Sequence, residues 1–397
     1  MPRRRLIPVL MALGLAGASR AEFDARVMTD DLAIRHTRIV ELNDTTLTVR
    51  HLDGSTERIP TERLSAAVAT EQARPALPGE ASSGVVFVEL TDGQRLLGTL
   101  GVSDDPNTIV LEARGLGRAR LPLERVRRVA RPGAAWRVAD EPTDAVLLTN
   151  GDRLTGFVAS LGSAVTIEPD AGPNITVPMD RVAEVRLANP SEPSPGTLVG
   201  DDRGVVLRAQ SLRVASDGAM TLTTRPAPLG LESGGEDTVA YNPGRARFAG
   251  LSVSRDGGVV ALGTLDLPPV TPTGGRRWTP DPVVLDASDP FLALPALHLP
   301  APGELVYPLP PGADRFACDL SVRPGVWTDC VVRIEAIAPD GTRTTLGTPR
   351  LNRDNDGAAI ESDLPARAVS LVITVDPGEH GAVQDAVTIG QPRLRVR

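Results

Sequence analysis

Two stretches of this chain are nearly the same: Thr91-Asp92-Gly93-Gln94-Arg95-Leu96-Leu97-Gly98 and, 58 residues on, Thr149-Asn150-Gly151-Asp152-Arg153-Leu154-Thr155-Gly156. Each is followed, after roughly two dozen residues, by a second shared block, Leu121-Pro122-Leu123-Glu124-Arg125-Val126 and Val177-Pro178-Met179-Asp180-Arg181-Val182. Self-similarity at a nearly fixed period constrains architecture more than any local motif, because each period is a small unit that must stack on neighbours to bury a face. Function is therefore sought first in whatever is not repeated.

Around both repeats apolar and polar residues alternate, and Gly, Asp and Asn interrupt them. Val86 to Leu90 runs into the Asp92-Gly93 turn and Arg95 to Leu100 runs out, a hairpin signature. Thr108 to Glu112 and Arg118 to Leu123 supply two more strands, and the next copy repeats the scheme. A weaker earlier copy runs from Arg38 to Leu64 and ends in Pro60-Thr61-Glu62-Arg63-Leu64, while a diverged fourth starts at Val205 and ends near Tyr241. Units of roughly 55–60 residues with four or five short strands predict small closed or nearly closed barrels of SH3-like or Sm-like form, since closure removes sticky edges. The Glu-Arg-Val or Asp-Arg-Val block fits a last strand or a single helical turn. The repeated Arg95/Arg153 and Arg125/Arg181 read as turn and flank residues rather than a ligand set.

The chain has 397 residues, enough for two to four domains, and a net charge of −8. Every permanent positive charge is Arg, interspersed with Asp and Glu; no basic stripe forms, which argues against a nucleic-acid partner. The N-terminus carries Arg3-Arg4-Arg5, an apolar run from Leu6 to Ala18 and Ser19-Arg20-Ala21, the pattern of a cleaved secretory signal. No later stretch approaches the twenty apolar residues of a bilayer span, so a product exported to the periplasm or cell surface is expected without a membrane span. The division drawn is a signal over 1–21, repeats over 22–75, 76–136 and 137–192, a diverged repeat over 193–266, a Pro/Gly linker over 267–284 and a distinct segment over 285–397.

In that last segment Leu305 to Leu309, Arg315 to Leu320, Cys330 to Ile337, Ala368 to Val375 and Pro392 to Val396 are strand-like runs at the spacing of a β-sandwich, with no periodic helix between them. The whole chain is expected to be all-β. Cys318 and Cys330, its two cysteines, lie on consecutive strands, so in an oxidising compartment they form either a disulfide or two small buried thiols.

The order of these strands resembles the carbohydrate-binding module found beside family-98 glycoside hydrolases, known as NPCBM. Leu297-His298 precedes Leu305-Val306-Tyr307-Pro308-Leu309, and Phe316-Ala317 matches a Phe-x-Ala strand. Val331 to Ile334 and Val369 to Ile373 match two central strands, and Gln384-Asp385 to Ile389 falls where the family carries an Asp followed by a Trp, here replaced by Ile389. The resemblance covers residues 285–397. It implies a galactose-binding-like jelly roll and a carbohydrate ligand.

Sugar sites stack an aromatic face on the ring and bond its hydroxyls with Asp, Asn, Arg or His. Trp327 stands in a predicted loop, Pro324 to Asp329, either as that platform or packed over the sandwich end. Asp329, Asp354, Asn355 and Asp385 are candidate hydroxyl ligands, as are His298 and His380, for which the favoured reading is a turn or strand-edge residue. Asn352 to Gly357 gathers oxygen ligands but lacks the distant bidentate acid of a calcium loop, and an Asp-Gly turn explains it. Nucleophile elbow, zinc-protease helix and phosphate loop are all missing, so neither an enzyme nor a cofactor is expected. The expected function is an exported, non-catalytic binder of a glycan or cell-surface polysaccharide on a scaffold of repeats. With aromatic residues at only 3%, the alternative is an envelope protein whose partners are other envelope proteins, and a glycan-active hydrolase is the third.

Overall fold

The computed structural model describes residues 22–70, 84–132, 142–192, 194–232, 236–244, 246–255, 258–273, 280–285, 291–323, 327–378 and 385–397. It is all-β; among the described residues the only helical pieces are short 3-10 turns. The signal-like segment lies outside them.

Repeat 1 comprises β1 (Phe23–Thr29), β2 (Ile34–Leu42), β3 (Thr46–Arg50), β4 (Thr56–Pro60) and β5 (Leu64–Ala69), ordered β4-β3-β2-β1-β5 and antiparallel throughout. Alternation builds it: Leu47 and Val49 face the core while the Thr and Arg between them face out. Repeat 2 has β6 (Val85–Leu90), β7 (Arg95–Leu100), β8 (Thr108–Ala113), β9 (Gly117–Pro122) and β10 (Val126–Ala130) in the same order. Repeat 3 has β11 (Asp144–Leu148), β12 (Arg153–Leu161), β13 (Ala164–Glu168), β14 (Ile175–Pro178) and β15 (Val182–Arg186), again in that order.

The diverged segment follows the plan with its long strand split. Its strands are β16 (Gly196–Asp201), β17 (Val206–Ala209), β18 (Ser211–Val214), β19 (Met220–Thr224), β20 (Val239–Tyr241) and β21 (Phe248–Ser254). β21 and β17 flank β16, and β18, β19 and β20 form the second half.

The shared motif residues now have physical reasons. Gly93 and Gly151 take φ of +83° and +93° in the hairpin turns, a region open chiefly to glycine. A Cβ at Gly98 or Gly156 would come within 2.9 Å or 2.8 Å of the carbonyl carbon of Glu112 or Glu168 on the next strand, so each motif ends in Gly. The Pro-x-acid-Arg block is a 3-10 turn, Thr61–Arg63, Leu123–Arg125 or Met179–Arg181, ahead of each closing strand.

The expected closed barrels are not formed. Among the described residues no ladder joins β4 to β5 or its equivalents, so each repeat is an open sheet, and its closing strand pairs with the closing strand of another repeat. β5 pairs with β21 and β10 with β15, while β17 touches β7, giving the spatial order 1-4-2-3. Under the β10·β15 seam Arg128 donates to Glu184 at 2.7 Å, both buried, with Arg186 on the same carboxylate. Removing one member would strand a desolvated charge.

The rest of the chain is a two-sheet sandwich. One sheet runs β23 (Val283–Leu285), β24 (Ala296–Pro300), β32 (Ala386–Val396), β26 (Ala313–Ser321), β30 (Gly357–Asp363). The other runs β25 (Gly303–Pro308), β31 (Ser370–Pro377), β27 (Asp329–Ile337), β28 (Arg343–Gly347), with β29 (Arg350–Asn352) also on β27. β22 (Gly258–Ala261), assigned from sequence to the fourth repeat, pairs instead with β32. Tyr307, Phe316, Val332 and Leu394 fill the space between the sheets.

Cys318 and Cys330 do not pair. β26 and β27 are not a hairpin but lie in opposite sheets, and both cysteines are free, buried thiols. Burial pushes the Cys330 thiol up to about 12 and the Cys318 thiol higher still, so neither forms thiolate readily.

The sandwich is docked on repeats 1 and 4. Phe291, Leu292 and Leu294 pack with Met28, Ala66, Val68, Val206 and Ala249. The buried Arg393 guanidinium of β32 donates to the Leu32 carbonyl at 2.8 Å.

Candidate functional site

One end of the sandwich gathers the starts of β27 and β32, the end of β26 and the turn between β29 and β30. The Trp327 loop leaves β26 at Val322, whose N–H bonds to the Asp356 carbonyl at 3.0 Å and ties the loop to that turn. Its other end is fixed twice over: the Asp329 N–H donates to Asp385 Oδ1 at 3.1 Å, and the Asp329 carbonyl accepts from Gly378. Asp385 is buried, and its own carbonyl accepts from Ala301 at 2.9 Å.

Above this base the Asp329 carboxylate takes a bidentate bond from Arg350, Nε and Nη2 each at 2.7 Å. Such a fork fixes orientation as well as adding energy. Asn352 Oδ1 accepts the backbone N–H groups of Asp354 and Asn355 at 3.0 and 2.9 Å, and Asn355 Nδ2 donates to the Arg350 carbonyl at 2.8 Å. The turn is held by its own Asn side chains; among the described residues no group of three or more His, Cys, Asp or Glu is placed to hold a metal. Trp327 is 78% exposed, with the Arg353 guanidinium 5.8 Å from its ring centroid.

Five of the residues singled out from sequence, Trp327, Asp329, Asp354, Asn355 and Asp385, thus belong to one cluster. His298 does not join it. Leu297 and Leu299 point into the core, so His298 faces outward from the six-stranded sheet, its Nδ1 3.4 Å from Thr388 Oγ1. His380 lies outside the described residues. Sequence reasoning missed Arg350 and Arg353. Arg350 is 21 residues from Asp329 along the chain, and only the register of β29 on β27, which sets Asp329 opposite Asn352, brings them together.

An exposed indole plane with a guanidinium beside it can hold a flat, weakly polar face and bond hydroxyls at its rim. The Asp329 carboxylate is already committed to Arg350, so it serves shape rather than proton transfer.

No protein-family model and no curated protein matches this chain. Among solved structures it is similar to a family-51 carbohydrate-binding module from Clostridium perfringens in complex with methyl-galactose, at 13% identity over 34% of this chain and 99% of that one, TM-score 0.28. It is also similar to the tandem family-51 modules of a family-98 glycoside hydrolase from Streptococcus pneumoniae, at 10% identity over 79% and 88%, TM-score 0.26. A family-6 module from Clostridium stercorarium in complex with cellobiose matches at 11% identity over 35% and 92%, TM-score 0.22. At these values the functional reading rests on the chain's own residues and their geometry.

Proposed function

We propose that this chain is an exported, non-catalytic carbohydrate-binding protein whose sandwich takes a glycan at the Trp327 end, the repeats acting as scaffold. The observation that carries the reading is Trp327 itself. A side chain this large and apolar is left in solvent on a loop that Val322, Asp329 and Asp385 hold at both ends. Exposure of an aromatic plane marks a binding surface better than it serves stability. Arg353, Asp354 and Asn355 stand ready as hydroxyl partners, and the committed Asp329–Arg350 pair fits a binding rather than a hydrolytic role. Export is supported by the N-terminal sequence pattern. For the repeats, the strand order with a 3-10 turn before the closing strand supports a diverged SH3-like lineage.

The second reading, an envelope protein that binds other proteins, is favoured by the exposed apolar strand β23, whose Val283, Val284 and Leu285 all face solvent. A glycan array followed by titration calorimetry on the full chain separates the two. The first reading expects a defined glycan hit that Trp327→Ala weakens about tenfold or more, roughly the contribution of one aromatic stack. A blank array with the folded protein, or a hit indifferent to Trp327→Ala, overturns it.

A further inference from the structure

The turns that mark the repeats also place arginines. Arg63 and Arg125 are equivalent: each ends the 3-10 turn before its closing strand, and the carbonyl of each accepts a hairpin-turn N–H, from Asp30 in repeat 1 and Thr91 in repeat 2. Each guanidinium also lies 3.8 Å from the next turn residue, Asp31 or Asp92. Arg63 has a nearer carboxylate besides, Asp30 at 3.2 Å. Repeat 2 has Thr91 there, so Arg125 lacks that second acid. Asp92 is itself shared, since its carboxylate accepts the Gln94 N–H at 3.2 Å and the Gln94 side-chain amide at 2.9 Å.

Arg125 lines a cleft of about 680 Å³ at the seam between repeats 2 and 4. Repeat 4 builds the far wall. Its long strand breaks at Gln210, between β17 and β18, and β19 runs out through Thr224 and Arg225 toward the turn Ala227–Leu229. Just before the break, Arg208 Nη1 donates to the Ser194 and Pro195 carbonyls at 2.6 and 2.7 Å, and its Nη2 to the Asp92 carbonyl at 3.1 Å. Those carbonyls hold the guanidinium in place without cancelling its charge. Arg225 is exposed, and its guanidinium has no ion-pair partner among the described residues.

The charged side chains of the cleft are thus three guanidinium groups, Arg125, Arg208 and Arg225, against two carboxylates, Asp92 and the exposed Glu192. A surplus of one positive charge matches one carboxylate, and a guanidinium suits that group because its planar fork meets both oxygens. Thr91, Ser194, Gln210 and Thr224 add hydroxyl and amide groups to the lining, which contains no aromatic ring. A ligand here is therefore held by polar bonds and not by stacking. The volume falls within the roughly 300–1,000 Å³ of small-molecule sites. One carboxylate on a ring of hydroxyls is a uronic acid.

We propose that this cleft is a second carbohydrate site, which takes a uronic acid by its carboxylate through Arg125 and Arg225. It is distinct from the Trp327 end and does not depend on glycan binding there. Titration calorimetry of the full chain at low salt tests it with glucuronate and galacturonate, with glucose and galactose as neutral counterparts and acetate as the bare carboxylate, each up to roughly 10 mM. A uronate should bind, its neutral counterpart should not, and acetate should be at least about tenfold weaker. Arg225→Gln should weaken uronate binding about tenfold, the worth of one charge-assisted hydrogen bond. Glu192→Gln removes a repelling charge and should tighten binding about twofold or more. Both positions are exposed, so circular dichroism should not change. Arg213→Gln removes the same charge as Arg225→Gln from the same repeat, but Arg213 is 74% exposed, pairs with Glu41 and does not line the cleft, so affinity should stay as it was. A uronate that binds no better than acetate marks an adventitious anion site and overturns the proposal. So does a uronate that does not bind, or one whose affinity ignores Arg225→Gln.

Discussion

Adding one methyl group at Gly250 should loosen the sandwich from the repeats, and removing Phe291 should make that methyl harmless. Gly250 of β21 and Gly200 of β16 are paired across the sheet and form a notch for the Phe291 ring. A Cβ on Gly250 would stand 2.8 Å from Phe291 Cγ and 2.9 Å from Cε2, against about 3.5–4.0 Å for an ordinary carbon contact. The ring would have to retreat by roughly 1 Å, and it is buried among Met28, Val68, Ala249 and Leu294, which block the way. Overpacking of this degree costs about 1–3 kcal/mol. Phe291→Ala alone costs about 3–5 kcal/mol on the scale of core truncations. In that background the new methyl has room, so the cost of Gly250→Ala should fall to near zero. The double-mutant cycle, read from urea midpoints and slopes of the four proteins, should therefore show a coupling of about 1–3 kcal/mol. Additivity within about 0.5 kcal/mol would refute the notch, since distant, unconnected sites behave that way.

Two further perturbations test other parts of the molecule. Arg350→Leu removes the fork on Asp329 but leaves the buried Asp385 base, so stability should fall by only about 1 kcal/mol while glycan affinity falls with the loss of loop shape; calorimetry and thermal melts on one sample separate the effects, and unchanged affinity would count against a positioning role. Asp201 is buried and accepts the Tyr241 hydroxyl at 2.7 Å and the Val205 N–H at 2.9 Å. Burial raises its carboxyl above the ordinary 3.8. The folded state then holds the proton more tightly than the unfolded one, so this group's contribution to stability declines as pH rises from about 3.8 through the raised value. Asp201→Asn keeps the acceptor without the charge, and its stability relative to the parent should climb over that window and then level off; a difference that is flat with pH would show that Asp201 does not titrate there.

Much of the local fold is legible in the sequence. The motif turns, the strand alternation and the split into repeats and sandwich follow from residues close together in the chain, because φ preferences and period-two burial act over a few residues. Gly93 and Gly151 announce their hairpins, and the Pro-x-acid-Arg blocks admit the single turn that they form. Closure and pairing are another matter. Nothing between Leu42 and Leu64 says whether β4 meets β5, and nothing near Cys318 or Cys330 says that consecutive strands part into opposite sheets.

The candidate site divides in the same way. Trp327, Asp354 and Asn355 stand out from the sequence alone as the one tryptophan of the last segment and a polar turn. That Arg350 reaches Asp329, that Asp385 anchors the loop from below and that His298 faces away were decided by strand register, since one residue of slip would turn each side chain to the opposite face. Sequence by itself determined that this chain is an all-β protein of repeated units with one unrepeated segment, because those properties are sums of local preferences. Tertiary structure alone decided that the repeats line up as 1-4-2-3 and that loops distant in the chain converge beside Trp327. Those outcomes depend on which edges meet, and an edge carries the same backbone groups whatever its sequence.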